Sequence, residues 1–486
     1  MKPVSPFLIC LASLLASLPI TAMCRANEPS REGIEVDARG PLHEAYARPW
    51  QADPAPNQAL DKKPPDPIPE EPAAEKPVGK NVQWIPGYWQ WDQDRKDFIW
   101  VSGFWREMPQ GRRWVMGYWV HTADGWRWVS GHFAAPQERD FQYVPLPPHN
   151  PDDRGAATQP PDDRSAYIPG SWFYGEDGYS YREGYWTEGY DDRMWVPACY
   201  YWTPYGYCFC SGYWDYPLGG RGLLFAPCFF TRPLWLTSGW CFRPWLGIGF
   251  GGLCDNLFVG LGCGHYFFGD YYAPFYFGLG FCPWFWHCAH FHDPHWAHCQ
   301  WANRANPAWA ANMRANFVGH ANGTLAAPAR TLAAQSHLVT GAKANTGSPQ
   351  MLQTMSQLRA SGQNLTAVTA EQRSVQMQAA RQMVTQAQNL ARVAPLTMST
   401  GSRIGLASGS SGLSTSYYGS GVRSFSTPSS GTFRGGVSPG VMSGSFGPRT
   451  SGGFHSGGFG GGGGSHGGMS SGGHSGGGGH GGGGHR

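Results

Sequence analysis

The sequence predicts a mainly β protein: an antiparallel meander of 14-residue aromatic repeats, followed by a Cys- and aromatic-rich β segment, one C-terminal helix and disordered tails. Three observations predict it. A short pattern, aromatic-x-x-Gly-x-aromatic, recurs at nearly constant spacing. Trp 23, Tyr 22 and Phe 26 are too many large apolar groups for a wholly disordered chain of 486 residues. Gly 69 and Pro 40 are also numerous, so the apolar and the low-complexity material must occupy different segments. A formal net charge of +3, with 14% charged residues, gives no electrostatic case for a nucleic-acid partner.

Residues 1–26 read as a secretion signal: Lys2, the apolar stretch from Phe7 to Ile20, then Cys24-Arg25-Ala26 at the cleavage positions. The mature chain is expected to begin near Asn27 and to reach the periplasm, cell surface or exterior. The apolar run is short and broken by Pro19, which disfavours a membrane anchor. Met23 before Cys24 disfavours lipid attachment. Residues 27–80 are rich in Pro, Ala, Glu and Asp and read as an extended linker.

The first repeat block spans 82–135 and the second 167–214. Copies begin at Trp84 (WIPGYW), Trp100 (WVSGFW), Trp114 (WVMGYW), Trp128 (WVSGHF), Tyr167 (YIPGSW), Tyr181 (YREGYW), Trp195 (WVPACY) and Phe209 (FCSGYW). A period of 14 suits one strand plus one turn. Folding each neighbouring pair about its turn sets Trp89 opposite Trp100, Trp91 opposite Phe98, Trp119 opposite Trp128, Trp172 opposite Tyr181 and Tyr200 opposite Phe209. The same operation at Pro109/Gln110 sets Trp105 against Trp114, Trp100 against Trp119 and Glu107 against Arg112; at Tyr190/Asp191 it sets Trp186 against Trp195 and Glu188 against Arg193. The two aromatics of one copy are five apart and point to opposite faces of a regular strand. A bulge at the central Gly would bring them to one face and shift one rung, and the sequence leaves both arrangements open.

These motifs resemble the bacterial WXXGXW (YXWGXW) repeat family, BcpO-related, over roughly residues 82 to 214. The resemblance implies an exported bacterial protein of undefined biochemical role and brings no catalytic residues. Ala198 stands in a glycine slot, which argues against a strained glycine there, and Phe133 stands for the last Trp of its copy.

The segment 136–166 reads as a linker whose duplicated Pro151-Asp152-Asp153-Arg154 and Pro161-Asp162-Asp163-Arg164 are solvated in preference to forming an acid/base or cation site. Residues 215–301 continue as short β runs, and polar residues and Pro interrupt every span long enough for a transmembrane helix. Region 302–398 is Ala/Gln-rich, with a helix near 370–393 that starts at the Thr369/Gln372 capping box and carries Val375, Ala379, Met383, Ala387 and Leu390 as a weak stripe. That helix is expected to stand alone or await a partner. Residues 399–486 are a Gly/Ser/His-rich tail without a core, so His455, His466, His474, His480 and His485 read as solvated.

Ten cysteines lie between Cys199 and Cys299, which in an exported chain suggests disulfides of unreadable connectivity. The densest polar cluster, in segment 282–299, is His287, Cys288, His290, His292, Asp293, His295, His298 and Cys299. It supplies enough donors for a divalent metal such as zinc or copper, with His295/His298 on a helical turn or His290/His292 on a strand face converging on it. The plainer reading, a polar surface turn with its cysteines in disulfides, is preferred. No nucleophile elbow, phosphate loop or zinc-protease motif is present, and Gly247–Gly252 lacks the helix a nucleotide loop requires.

The function expected is that of an exported, non-enzymatic structural or binding repeat protein of the bacterial cell envelope. Its candidate binding aromatics are Trp84, Trp89, Trp100, Trp105, Trp114, Trp119, Trp128, Trp172, Trp186, Trp195 and Trp214, with envelope glycan or other envelope proteins as partners. Core packing is the preferred role for each single repeat Trp. The alternative function is metal binding by the 282–299 cluster.

Overall fold

The aromatic repeats fold in pairs, each pair making one long hairpin that bends at the motif glycines. The computed structural model describes residues 31–138, 140–152, 154–340, 350–392 and 403–405. The expected signal segment and nearly all of the Gly-rich tail, with its histidines, lie outside these residues. The first hairpin runs through Val82–Ile85, Tyr88–Asp92, Asp97–Val101 and Phe104–Glu107; the inner two strands pair across a turn and the outer two pair beyond the bend. The second uses Arg113–Val115, Tyr118–Thr122, Gly125–Val129 and His132–Ala134. The third uses Ser165–Ile168, Ser171–Gly175, Gly178–Arg182 and Tyr185–Glu188. The fourth uses Met194–Val196, Cys199–Thr203, Gly206–Cys210 and Tyr213–Asp215.

Register passes each bend unchanged. Trp84 faces Trp105 as Trp89 faces Trp100, and Trp114 faces Phe133 as Trp119 faces Trp128. Tyr167–Trp186 with Trp172–Tyr181, and Trp195–Trp214 with Tyr200–Phe209, repeat the scheme. Ring centroids in these eight rungs lie 4.9 to 5.5 Å apart, tilted or edge-to-face, as quadrupolar rings prefer. Both arms break at the same level, so no one-sided bulge shifts a rung. The inner turns of the later three hairpins end on Gly125, Gly178 and Gly206 with φ of 125°, 96° and 132°, a backbone that only glycine adopts without strain.

The expected inner pairings, including the added Trp91–Phe98 rung, are therefore present, and the folds at 109/110 and 190/191 are not. Trp105 pairs back to Trp84 and Trp186 back to Tyr167. The physical reason lies at the edges: the free side of the first hairpin is taken by Gly222–Leu223 and Cys228–Phe230 from beyond the repeats. The expected Glu107–Arg112 contact gives way to Asn81 N donating to Glu107 and Arg112 donating to Ser211 and Gly212. Glu188 meets Arg164 at 3.6 Å, while Arg193 lies over Tyr190.

The proline-rich segment is threaded through this framework and does not hang from it. Ile34–Val36 pairs with Cys228–Phe230, Gly40–Pro41 pairs with His265–Phe268, and Leu42, Ala45, Tyr46 and Trp50 are buried. Such a segment has too few apolar groups to build a core but enough to fill slots in one. Asp152, expected in solvent, accepts from Gly170 N and the Tyr167 hydroxyl.

Beyond the repeats, Leu257–Gly260 pairs with both His265–Phe268 and Phe281–Pro283. The chain then turns helical where further strands were expected: α1 (Pro274–Gly278), α2 (Trp284–His290) and α3 (Pro294–Ala302). Proline at the first turn of α1 and α3, and Asp293 capping α3, account for those starts. α4 (Trp309–Ala321), α5 (Leu332–Thr340) and α6 (Met355–Ala360) were also not read from the sequence. α7 (Ala370–Arg392) is the expected helix, and its Thr369/Gln372 box forms as read. It is not isolated. Ala380, Ala387 and Leu390 are buried against the first two hairpins and Gln376 accepts from Trp84 N, whereas Val375 is exposed. One buried apolar cluster joins the first two hairpins, parts of the fourth, the Cys-rich segment and α7.

Candidate functional site

The repeat aromatics divide by burial. In the first two hairpins Trp84, Trp89, Trp100, Trp105, Trp114 and Trp128 are buried and Trp119 is half-buried. In the last two, Trp172, Trp186, Trp195 and Trp214 are all half-buried. The difference is coverage: α7, the proline-rich segment and the Cys-rich segment pack on the first pair, while the second pair keeps an open side.

Trp186, Trp195 and Trp214 open onto one cleft of about 490 Å³, bounded by residues 154–167, the outer arms of the third and fourth hairpins, and α3. Tyr190 and Trp301 complete its aromatic lining. Tyr190 stands edge-on to Trp214 at 5.2 Å, and Trp214 to Trp195 at 5.3 Å. Arg193 stacks on Tyr190 at 3.9 Å and Arg304 on Trp301 at 4.2 Å, so both guanidinium groups are held at the rim by cation–π contact. Trp186 Nε1 donates to Thr158 Oγ1 at 2.9 Å. Trp301 Nε1 is buried without a hydrogen-bond partner among the described residues. Gly189 permits that indole to approach, since a Cβ there would lie 2.8 Å from Trp301 Cε2. Arg154, Asp162 and Asp163 supply further polar groups on the loop side. Flat apolar rings with polar groups at their edges suit a ring-shaped polar ligand. The sequence singled out the three tryptophans of this wall; it gave no signal for Tyr190, Arg193, Trp301 or Arg304, which come together only through packing of α3.

The Cys/His cluster does not converge. Among the described residues no group of three or more His, Cys, Asp and Glu is placed to hold a metal ion. Helix formation disperses the candidates. Asp293 caps α3, accepting from His295 N and Trp296 N at 3.0 Å each and from the Tyr266 hydroxyl. Burial favours protonating it, but His287, His295 and Tyr266 more than offset this and hold its carboxyl at about 2. His295 turns inward to Arg221 at 2.9 Å, and burial and that cation lower it to about 3. His298, three residues on, faces Tyr190 O at 3.4 Å. His290 lies exposed over Trp286, and His292 packs on Trp50, lowered by burial to about 4. His287 stays 3.7 Å from Asp293, and Cys288 donates to Phe285 O.

The ten cysteines are thiols in this structure. Two pairs nonetheless come close: Cys199 and Cys210 stand opposite each other in the fourth hairpin, and outside it the thiols of Cys254 and Cys299 influence each other's ionisation. The Cys254 thiol, aided by His298, lowers Cys299 against the effect of burial.

Among the described residues no helix is long and apolar enough to cross a membrane. No curated protein and no solved structure matches the chain. The family model for the WXXGXW repeat matches residues 83–106 and 166–187, the spans of the first and third bent hairpins. The chain thus carries two matched copies of the WXXGXW repeat, and each copy is one whole hairpin.

Proposed function

We propose that this chain is an exported binding protein of the bacterial cell envelope that acts without catalysis, holding a glycan in the cleft between the third and fourth hairpins and α3. The carrying observation is the contrast in burial of the outer rungs: Trp84, Trp105 and Trp114 are core in the first two hairpins, whereas Trp186, Trp195 and Trp214 are half-exposed around one cleft in the last two. Sugar rings present apolar faces that stack on indoles, and the arginines and aspartates at the rim answer hydroxyl and carboxylate substituents. The signal-like leader and the cysteine content support export. In an oxidising compartment Cys199/Cys210 and Cys254/Cys299 are the pairs that join.

The test is a panel of envelope glycans offered to the naturally exported full-length protein, with affinity measured by titration calorimetry. Trp186→Ala and Arg193→Ala are expected to weaken binding at least tenfold while leaving the unfolding midpoint nearly unchanged. Binding that survives both changes, or is lost only together with the fold, overturns the proposal.

A further inference from the structure

Each motif glycine has a backbone N–H that the bend leaves out of the strand ladder. In three hairpins these groups face a carboxylate brought from outside the repeat. In the first, Glu70 accepts from Gly87 N and Gly103 N at 2.9 Å each and from Trp100 Nε1 at 3.1 Å. In the second, Glu44 accepts from Gly131 N at 2.9 Å and Trp128 Nε1 at 3.2 Å, and Gly117 N bonds it as well. In the third, Asp152 accepts from Gly170 N and the Tyr167 hydroxyl at 2.7 Å each. In the first two hairpins both arms, and in the third its first arm, supply backbone N–H groups that join an aromatic N–H or O–H in a donor-lined pocket, and such donors select an acceptor such as a carboxyl oxygen.

The glycines are required by space. A Cβ at Gly103, Gly117, Gly131 or Gly184 would sit 2.5, 2.7, 2.8 or 2.5 Å from the bound carboxylate oxygen. None of the four has a left-handed φ. The fourth hairpin is the internal control: Ala198 fills the glycine slot, and there no carboxylate is bound among the described residues. The captured residues come from different backbone settings: Glu70 follows Pro69 in an extended stretch, whereas Glu44 and Asp152 lie in turns closed by Tyr46 N donating to His43 O and Gly155 N donating to Asp152 O. The Glu70 stretch is further clamped by Phe242 N donating to Pro69 O and Glu71 N donating to Phe242 O, both at 2.8 Å.

We infer that the bent WXXGXW hairpin is a carboxylate-binding module whose ligand is a Glu or Asp side chain presented by a segment outside the hairpin, and that in this chain three of the four hairpins are filled in cis. In the first two hairpins the module lies apart from the glycan cleft; in the third it adjoins the cleft, which Tyr167 also lines. The module gives the motif glycine a ligand-binding reason, and it makes these acidic residues specific cis ligands.

The experiment uses chemical rescue on the full chain. Glu70→Ala is expected to lower the urea midpoint, and sodium formate is expected to restore at least half of that loss, with equimolar sodium chloride and formamide restoring none. Glu70→Gln, which turns an amide N–H₂ toward N–H donors, is expected to be destabilised and insensitive to formate. Gly103→Ala is expected to be destabilised and insensitive too, because its methyl fills the pocket. Should Glu70→Ala not fold, Asp152→Ala in the more exposed third hairpin replaces it, read as a saturable shift of the Gly170 amide resonance on formate titration. A wild-type midpoint for Glu70→Gln, equal rescue by chloride, or a Gly170 amide that does not respond to formate overturns the inference.

Discussion

Trp84 and Trp186 hold comparable outer-rung places in their hairpins and differ in what covers them. Trp84 is fully buried against Trp105 and Phe225, with its backbone N–H capped by Gln376. Trp186 has Tyr167 on one side and the open cleft on the other. Trp84→Ala is therefore expected to cost about 3–5 kcal/mol, the range for emptying a core site of this size, whereas Trp186→Ala should cost less than about 1 kcal/mol. Paired urea titrations check this, and equal costs would contradict the division into core and cleft aromatics. At this scale the sequence named the right residue types. Which of them met solvent depended on α3, α7 and the proline-rich segment arriving from distant parts of the chain.

Elements are joined by buried charge as well as by rings. Arg106 of the first hairpin forks onto Asp215 of the fourth at 2.7 and 2.6 Å, and Arg221 meets the same carboxylate at 3.1 Å. All three side chains are buried. Asp215→Asn would leave two desolvated guanidinium groups without their counter-charge and is expected to cost about 3–5 kcal/mol, measurable as a shifted denaturation midpoint. A local feature makes a smaller prediction: Thr369→Ala removes the α7 capping box and should cost about 1 kcal/mol, seen as lost helical circular dichroism near the midpoint. The thiol pairs make a third. Protein recovered from an oxidising compartment is expected to show Cys199–Cys210 and Cys254–Cys299 linked in a peptide map, each bond having passed two electrons and two protons to a disulfide oxidant. Other pairings would contradict the proximity seen here.

Over the whole molecule, burial sets the response to acid. Burial holds His43, His132 and His295 down to about 3, and His265 and His292 down to about 4. These imidazoles bind fewer protons folded than unfolded, so their contribution is full above the ordinary value of 6.5 and is lost as pH falls toward 4. Burial acts oppositely on Glu70, raised to about 7, on Asp37, raised to about 6, and on Glu44 and Asp255; their contribution is lost as pH rises. Five imidazoles outnumber four carboxyls. The thermal midpoint is therefore expected to fall between pH 7 and pH 5, by scanning calorimetry, and a rising midpoint would reverse the sign of the argument.

What the sequence determined by itself was what short-range physics fixes. The 14-residue period and the turn residues set every inner hairpin pairing, because a turn and its two flanking arms are local and their aromatic rungs reinforce one register. The Thr369/Gln372 box set the start of α7 for the same reason. Tertiary structure decided the rest. Whether Trp105 pairs forward to Trp114 or back to Trp84 depends on who occupies the far edge, and Gly222–Leu223 reaches that edge from more than a hundred residues away. Asp152 reads as solvated, and Glu44 and Glu70 fall in a segment that reads as a linker, because nothing in their own neighbourhoods marks a partner; those partners include backbone N–H groups, which every residue but proline has and no sequence pattern marks. The cleft and the dispersed histidines follow likewise. Trp284–His290 and Pro294–Ala302 went helical, and a helix sends side chains three residues apart, such as His295 and His298, to different surroundings that only the assembled fold defines.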